Sequence, residues 1–209
     1  MVLVLHRGEN VEKLEEILKE AKRRFGLYGF ERTTMQEIAG GFSMSKGSLY
    51  YYFPDKESLF KAVIEREQEL FFQLISKKIA KVESPEEMLS EFLKQRHIHF
   101  KKFVNLNIFR YSNVAKIRPH ISATFLNFRE RETRLIFSIL NKGVEMGVFD
   151  LADPLKSATL FLDVLHGMRL VVMNFRDYSE LHKVDYDRID EKNKQFLELF
   201  ITSMKKSAK

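Results

Sequence analysis

The segment SKGSLYYYF, residues 45–53, brings together side chains that suit contact with an anionic polymer. Its lysine can neutralise a phosphate, and its tyrosines can donate to phosphate oxygens or lie against sugars and base edges. At about 100° per residue, one side of a helix would carry Lys46, Gly47, Tyr50 and Tyr51. Leu49 and Phe53 would pack inward from the other side. We therefore expect a short helix with one binding face.

Other chemistries fit these residues less well. The glycines suggest a phosphate-binding loop, but GGFSMSKG matches neither G-x-x-x-x-G-K-[ST] nor G-x-G-x-x-G, and no strand is predicted before it. His97 and His99 suggest a metal pair, yet residues two apart on a helix point in different directions. The sequence has no cysteine and no HExxH motif. We therefore expect no enzyme, no metal and no cofactor.

Composition favours a helical protein with a packed core. Of 209 residues, 44% are hydrophobic, and there are only four prolines and nine glycines. The net charge of +6 is mildly favourable for anionic partners, but residues 1–56 hold nine Lys and Arg against eight Asp and Glu. The absence of cysteine fits a reducing cytoplasm, and no apolar run approaches the length of a membrane span. Charge placement, rather than total charge, must therefore carry any nucleic-acid argument.

Apolar periodicity and capping signals predict an all-α fold of about nine helices. Three short helices are expected in the first 53 residues, and their predicted N-caps are Asn10, Thr33 (in a capping box with Gln36) and Ser45. The helices expected after them are a long one from Asp55, one from Pro85 capped by Ser84, two divided by Pro119, one at 153–175 and one at 189–205. Gly147 is expected to end the helix that starts at Pro119, and residues 176–187 are expected to form a loop.

The first third of the chain resembles the N-terminal DNA-binding domain of TetR-family transcriptional regulators. TTMQEIA, SKGSLYYYF and PDKESLF lie in the family's order and spacing between Ile17 and Val63. The later segment GVFDLADPLKSATLFLDVLHGM is similar to the family's segment before its dimerisation helices. The resemblance implies a helix-turn-helix DNA-binding domain at 1–55 and a helical effector-binding and dimerisation domain at 56–209.

The resemblance also implies which residues act. Those expected at DNA are Thr34, Gln36, Ser45, Lys46, Gly47, Ser48, Tyr50, Tyr51, Tyr52 and Lys56, although Tyr52 suits the core equally well. Candidates for lining an effector cavity are Phe100, Phe103, Phe125, Phe128, Phe161 and His166, with ordinary core packing as the alternative. The family usually has glycine where this chain has Ser43, so that serine is expected at a turn that favours a left-handed backbone.

The expected function is that of a ligand-responsive repressor. It would bind a palindromic operator as a homodimer, pair through helices at 153–175 and 189–205, and be released by a largely apolar small-molecule effector. We expect it in the cytoplasm, away from membranes. Two alternatives stay open: a DNA-binding or interaction protein without an effector, and an enzyme that uses the helical body.

Overall fold

A computed structural model of the chain describes residues 2–104, 111–173 and 185–205. Its helices are α1 (Val2–Arg32), α2 (Met35–Gly40), α3 (Lys46–Tyr52), α4 (Lys56–Ile79), α5 (Pro85–Val104), α6 (Tyr111–Glu145), α7 (Pro154–Met173) and α8 (Tyr186–Met204). These ranges contain no strand, only one isolated β-bridge between Phe149 and Lys205. The expected all-α fold is therefore confirmed. In the described ranges, no helix combines the length and apolar character needed to cross a membrane.

The chain divides into two compact units. The first comprises Met1–Glu69 and Lys102–Thr124, and the second comprises Leu70–Lys101 and Phe125–Lys209. The sequence-based boundary after residue 55 stays a prediction.

Aromatic packing forms the centre of the first unit. The Phe60 ring lies 4.9 Å from that of Phe25 and 5.1 Å from that of Phe30, both in edge-on geometry. Ile38 of α2 and Leu49 of α3 are completely buried in the same unit. Burial of each such side chain contributes roughly 1.5–3 kcal/mol, so the two short helices depend on this core rather than on their own propensity.

Two ion pairs connect α1 with α4. The Lys22 ammonium lies 2.7 Å from the Glu67 carboxylate, and the Arg66 guanidinium lies 2.9 Å from that of Glu15. Surface pairs of this kind stabilise weakly, by about 0–1 kcal/mol each. They fix the side on which the two helices meet, while the buried aromatic rings supply most of the stability.

The second unit has its own core, drawn from α4 to α8. Its completely buried side chains include Leu89, Phe92, Ile136, Phe149 and Phe161. Gly143 allows Phe149 to lie against α6, because a Cβ there would sit 2.1 Å from the Phe149 ring. Gly147, at φ 70, then ends the turn after α6, as its position in the sequence predicts.

Four predicted helix boundaries differ from the structure. α1 begins at Val2, so Asn10 lies inside the helix instead of capping it. Extending a formed helix gains one hydrogen bond per residue, and this outweighs a single capping preference. Thr33 is buried and donates to the Gly29 carbonyl at 2.7 Å. Its neighbour Thr34 forms the capping box instead, with Glu37.

The third error concerns Pro119, which lies inside α6 and does not divide it. An internal proline costs about 3 kcal/mol, because it removes a donor and crowds the preceding turn. Tertiary packing compensates: Ile121, Thr124 and Ile136 are buried along the same helix. The described ranges therefore contain eight helices. The expected loop at 176–187 lies outside the described residues up to 184, and α8 begins earlier than predicted, at Tyr186.

Candidate nucleic-acid interface

Local hydrogen bonds define α3 at both ends. Ser45 has an extended backbone, and its Oγ accepts from the Ser48 amide at 3.0 Å, which confirms the predicted N-cap. At the other end the Phe53 amide donates to the Leu49 carbonyl at 3.0 Å. Pro54 follows directly, and it disfavours helical backbone at the residue before it. The helix is therefore limited to its seven residues.

The two faces of α3 differ as the helical wheel predicts, except that Ser48, which the wheel places on the side of Leu49, is exposed. Leu49 is completely buried and Phe53 is buried one turn later. The exposed residues are Lys46, Gly47, Ser48, Tyr50 and Tyr51, which we call the α3 surface. Tyr51 keeps 85% of its surface accessible, which is unusual for so large an aromatic side chain. The α3 surface thus presents a cation and two phenol groups on a short, well-anchored helix.

The side chains of the α3 surface are close enough to act together. The Lys46 ammonium lies 5.7 Å from the centroid of the Tyr50 ring, within cation–π range. Gly47 meets nothing closer than the Ser45 hydroxyl, 3.8 Å from where a Cβ would stand. A flat or anionic partner can therefore approach the backbone here while contacting the lysine and the tyrosines.

The turn between α2 and α3 contains a strained residue. Ser43 adopts φ 57, which confirms the expected left-handed backbone. The turn is held by the Met44 amide, which donates to the Ala39 carbonyl at 3.0 Å. For a residue with a Cβ this conformation costs about 1–2 kcal/mol. The turn fixes the angle at which α3 leaves α2.

Two predicted contact residues lie at the start of α2. Thr34 uses its hydroxyl in the capping box, in which the Glu37 carboxylate accepts from the Thr34 amide at 2.8 Å. These hydrogen bonds hold the pKa of Glu37 below its usual range. Gln36, in the first turn, is exposed. A DNA contact by Thr34 or Gln36 stays a prediction.

Two further predicted contacts have partners within the protein. The Lys56 ammonium donates to the carbonyls of Phe30 at 2.9 Å and Thr33 at 3.0 Å. The half-buried Tyr52 donates its hydroxyl to Asn10 Oδ1 at 3.1 Å. Sequence reasoning missed these two positioning contacts, because their partners are 23 to 42 residues away along the chain. Direct DNA contact by either residue stays a prediction.

The described candidate effector residues have different surroundings. Phe161 is completely buried, between Phe196 at 5.4 Å and Phe200 at 4.9 Å, and therefore packs as core. Phe128 is partly buried, 5.5 Å from Phe71 and 5.2 Å from Phe72.

The other candidates are spread over three helices. Phe125 is partly buried on α6, and the side chain of Phe103 lies outside the described residues. Phe100 and His166 both contact Arg169. A role for any of these residues in an effector cavity stays a prediction.

The two histidines of the suggested metal pair have different neighbours. His97 lies 6.3 Å from the Tyr186 ring, and burial lowers its pKa below the usual value. His99 lies 4.7 Å from the Phe71 ring. Within the part of the chain that the structure describes, no group of three or more His, Asp and Glu side chains could hold a metal ion.

Comparison with known proteins decides the family. The family described as "Bacterial regulatory proteins, tetR family" matches residues 17–63, which contain α2, α3 and the start of α4. A crystal structure of a transcriptional regulator from Cytophaga hutchinsonii is 32% identical, with a TM-score of 0.84 over 93% of this chain and 99% of its own. The chain belongs to the TetR family.

Two further proteins are similar to this TetR-family protein over most of its length. The uncharacterised HTH-type transcriptional regulator YfiR of Bacillus subtilis is 27% identical, over 91% of this chain and 93% of its own length. A transcriptional regulator from Saccharomonospora viridis, solved in complex with choline, is 18% identical with a TM-score of 0.67, over 90% of this chain and 96% of its own. As a member of the TetR family, the chain is a DNA-binding transcriptional regulator.

One further residue of this TetR-family protein was not identified as a candidate from the sequence. Arg169 interrupts the apolar segment VLHGMRLVVMNF, and that interruption was the available signal. Its Nε is buried and has no hydrogen-bond partner among the residues that the structure describes. An arginine in an apolar helix is costly unless it serves a partner.

Proposed function

We propose that this protein is a repressor that binds a palindromic operator as a homodimer and is released by a small-molecule effector. The observation that carries the proposal is the α3 surface, in which Lys46, Tyr50 and Tyr51 are exposed on a helix fixed by Leu49. A helix of this kind fits the major groove, with tyrosine hydroxyls reaching bases and phosphates and the ammonium near a phosphate. The reading of DNA by the α3 surface and the repressing role are both proposals for this chain.

Exposed apolar residues on α7 and α8 support the dimer. Leu160 is 59% exposed and Leu199 is 71% exposed, although both are large apolar residues. Val171 is also exposed, and in the described part of the chain no atom lies within 4 Å of where a Cβ at Gly167 would stand. Leu160, Gly167 and Val171 recur at helical spacing and so share one side of α7. A second copy would cover this side with two-fold symmetry, and a palindromic operator would match it.

To bind a palindrome, the two α3 helices of the dimer must lie about one DNA turn apart, at a distance of ~34 Å. An effector would release the operator by binding more tightly to an arrangement in which this distance differs. The complex of the Saccharomonospora viridis regulator with choline supports a small-molecule site in proteins of this fold. We place the protein in the cytoplasm, where operator DNA and a diffusing effector are both accessible. The rival function, DNA binding without an effector, predicts operator affinity that no small molecule changes.

The test begins with selection of bound sequences from random DNA by the full-length protein. Lys46→Ala should then weaken binding both to the selected operator and to unrelated DNA. The plot of log affinity against log salt should become less steep, by about one unit of slope, because one phosphate contact is lost. Fluorescence anisotropy at several salt concentrations measures that slope. Lys78→Ala is the control, because Lys78 is also exposed but lies in the last turn of α4.

The same assay separates base reading from phosphate contact. Tyr50→Ala should reduce affinity for the selected operator more than affinity for unrelated DNA, with an unchanged circular dichroism spectrum. If the selection yields no palindrome, or if neither substitution alters DNA binding, the proposed operator contact by α3 is incorrect.

A further inference from the structure

Arg169 lies on α7 within the second unit, among apolar and aromatic side chains. Its guanidinium carbon lies 4.4 Å from the centroid of the buried Phe100 ring. Its Nε is shielded from solvent and donates to no described atom. Burial lowers the pKa of Arg169 to about 10, so the group still carries its charge at neutral pH. The helical body therefore contains a cation with an unused N–H donor.

His166, one turn before Arg169, adds a second donor. The two side chains meet at 2.9 Å, between Arg169 Nη2 and His166 Nδ1. Burial and the nearby Arg169 and Arg96 charges lower the pKa of His166 to about 4, so the imidazole is neutral. Because the guanidinium can only donate, Nδ1 must accept and the ring proton must reside on Nε2. The pair thus provides N–H groups from both residues and an acceptor from neither.

The surrounding carboxylates are already engaged by other arginines. Arg96 binds Glu132 at 2.7 Å, with both side chains largely buried, and Arg129 pairs with Asp163. Among the described residues, no carboxylate forms an ion pair with Arg169. The Glu132 charge also favours the charged form of Arg169, but that carboxylate is held by Arg96. Two largely buried arginines therefore share one carboxylate, and the site carries an excess positive charge that a further anion would balance.

The lining around the pair is mainly aromatic. Phe100 lies 6.3 Å from the Tyr186 ring, so α5, α7 and α8 meet here. Burial raises the pKa of Tyr186, which keeps its phenol neutral. Two more buried atoms on these helices, His97 Nδ1 on α5 and Asn193 Oδ1 on α8, have no hydrogen-bond partner within the described part of the chain. A ligand with one anionic group and an apolar remainder matches this mixture of charge and aromatic surface.

We propose that Arg169 and His166 bind the carboxylate of an apolar organic acid, and that this acid is the effector. The carboxylate accepts from Arg169 Nε and from the imidazole, and the apolar part packs against Phe100 and Tyr186. The effector role rests on the proposed repressor function, whereas the binding site itself does not. The class of ligand is set by the missing negative charge and the aromatic lining.

The binding test uses the full-length protein without DNA. Isothermal titration calorimetry and thermal melting compare decanoate and benzoate with decan-1-ol, benzyl alcohol and inorganic phosphate. We expect at least one of the two acids to bind and to raise the Tm, and its matched alcohol to bind at least tenfold more weakly. Arg169→Gln should weaken binding of that acid about ten- to hundredfold, because a charge-assisted hydrogen bond is lost. Arg134→Gln, an exposed arginine paired with Glu130, is the control and should bind as wild type.

A second variant separates a ligand site from a structural role. Arg169→Met removes an unpaired buried charge and keeps the volume, so the ligand-free protein should melt at the same or a higher temperature while the acid no longer raises its Tm. If Arg169→Met lowers the Tm strongly, or if alcohols bind as tightly as acids, or if neither acid binds, the proposed site is wrong.

Operator release is measured separately. An acid that binds wild-type protein through Arg169 but leaves operator affinity unchanged supports the carboxylate site and contradicts the effector role. An acid that releases wild-type protein from the operator, and not Arg169→Gln, supports both.

Discussion

Lys56 shows at the scale of one residue how internal partners limit what a side chain can offer to a ligand. Its ammonium holds the carbonyls of Phe30 and Thr33 and lies 4.3 Å from the Phe30 ring. These carbonyls belong to the end of α1 and to the segment just before α2. The group therefore joins the start of α4 to the chain that leads into the helix-turn-helix.

Lys56→Met should lower the free energy of unfolding by about 1.5–3 kcal/mol, because hydrogen bonds from a charged donor to backbone acceptors are lost. Urea denaturation followed by circular dichroism measures this change. Lys78→Met, the same substitution at an exposed lysine, should have little effect. A variant with unchanged stability but much weaker operator binding would instead make Lys56 a direct DNA contact, as the family resemblance implies.

At the scale of elements, the strained turn at Ser43 connects the two short helices. Ser43→Gly should raise the free energy of unfolding by about 0.5–1 kcal/mol, because relief of the left-handed strain exceeds the added entropy of the unfolded chain. Chemical denaturation checks the value. Ser43→Ala keeps a Cβ at φ 57 and should give no gain. A stabilised alanine variant would show that the serine hydroxyl, not the backbone, is unfavourable.

The elements that could be predicted from sequence are those with local signals. Ser45 as a cap, Leu49 facing inward and Gly147 after α6 follow from neighbouring residues alone. The capping box was assigned one residue too early, because Thr33 and Thr34 are each followed three residues later by a suitable partner. Burial of Thr33 decided between them, and burial depends on tertiary packing. Pro119 lies inside α6 and does not end a helix for the same reason, because the tertiary packing of the rest of α6 outweighs the local cost of the proline.

For the α3 surface, the sequence predicts which side chains are exposed but not which distant residues hold the helix in place. A wheel assigns exposure to Lys46, Tyr50 and Tyr51 once Leu49 is recognised as the buried position. The wheel cannot give long-range partners, and so the Tyr52–Asn10 hydrogen bond could not be foreseen. The sequence also could not predict that Arg169 Nε has no partner among the described residues, because this depends on neighbouring carboxylates that pair with other arginines.

For the whole molecule, the proposed dimer makes a direct prediction about α7. Leu160→Glu should convert the dimer to monomer in sedimentation velocity, because a charge would be buried against the partner copy. Operator affinity should fall at least tenfold, since a single half-site remains for each monomer. Leu126→Glu is the matched control, because Leu126 is 68% exposed but lies on α6. If Leu160→Glu and Leu126→Glu show the same sedimentation and the same operator affinity, the dimer contact does not lie on the Leu160 side of α7.

The ion pairs and aromatic contacts between α1 and α4 have a consequence for the order of folding. With six and seven residues, α2 and α3 are too short to persist as isolated helices in water. We expect them to become stable only after Phe25 and Phe60, 35 positions apart in the chain, have met. The helix that would read DNA is therefore among the last parts of the first unit to form. Partial opening between α1 and α4 would abolish binding before the remaining helices melt.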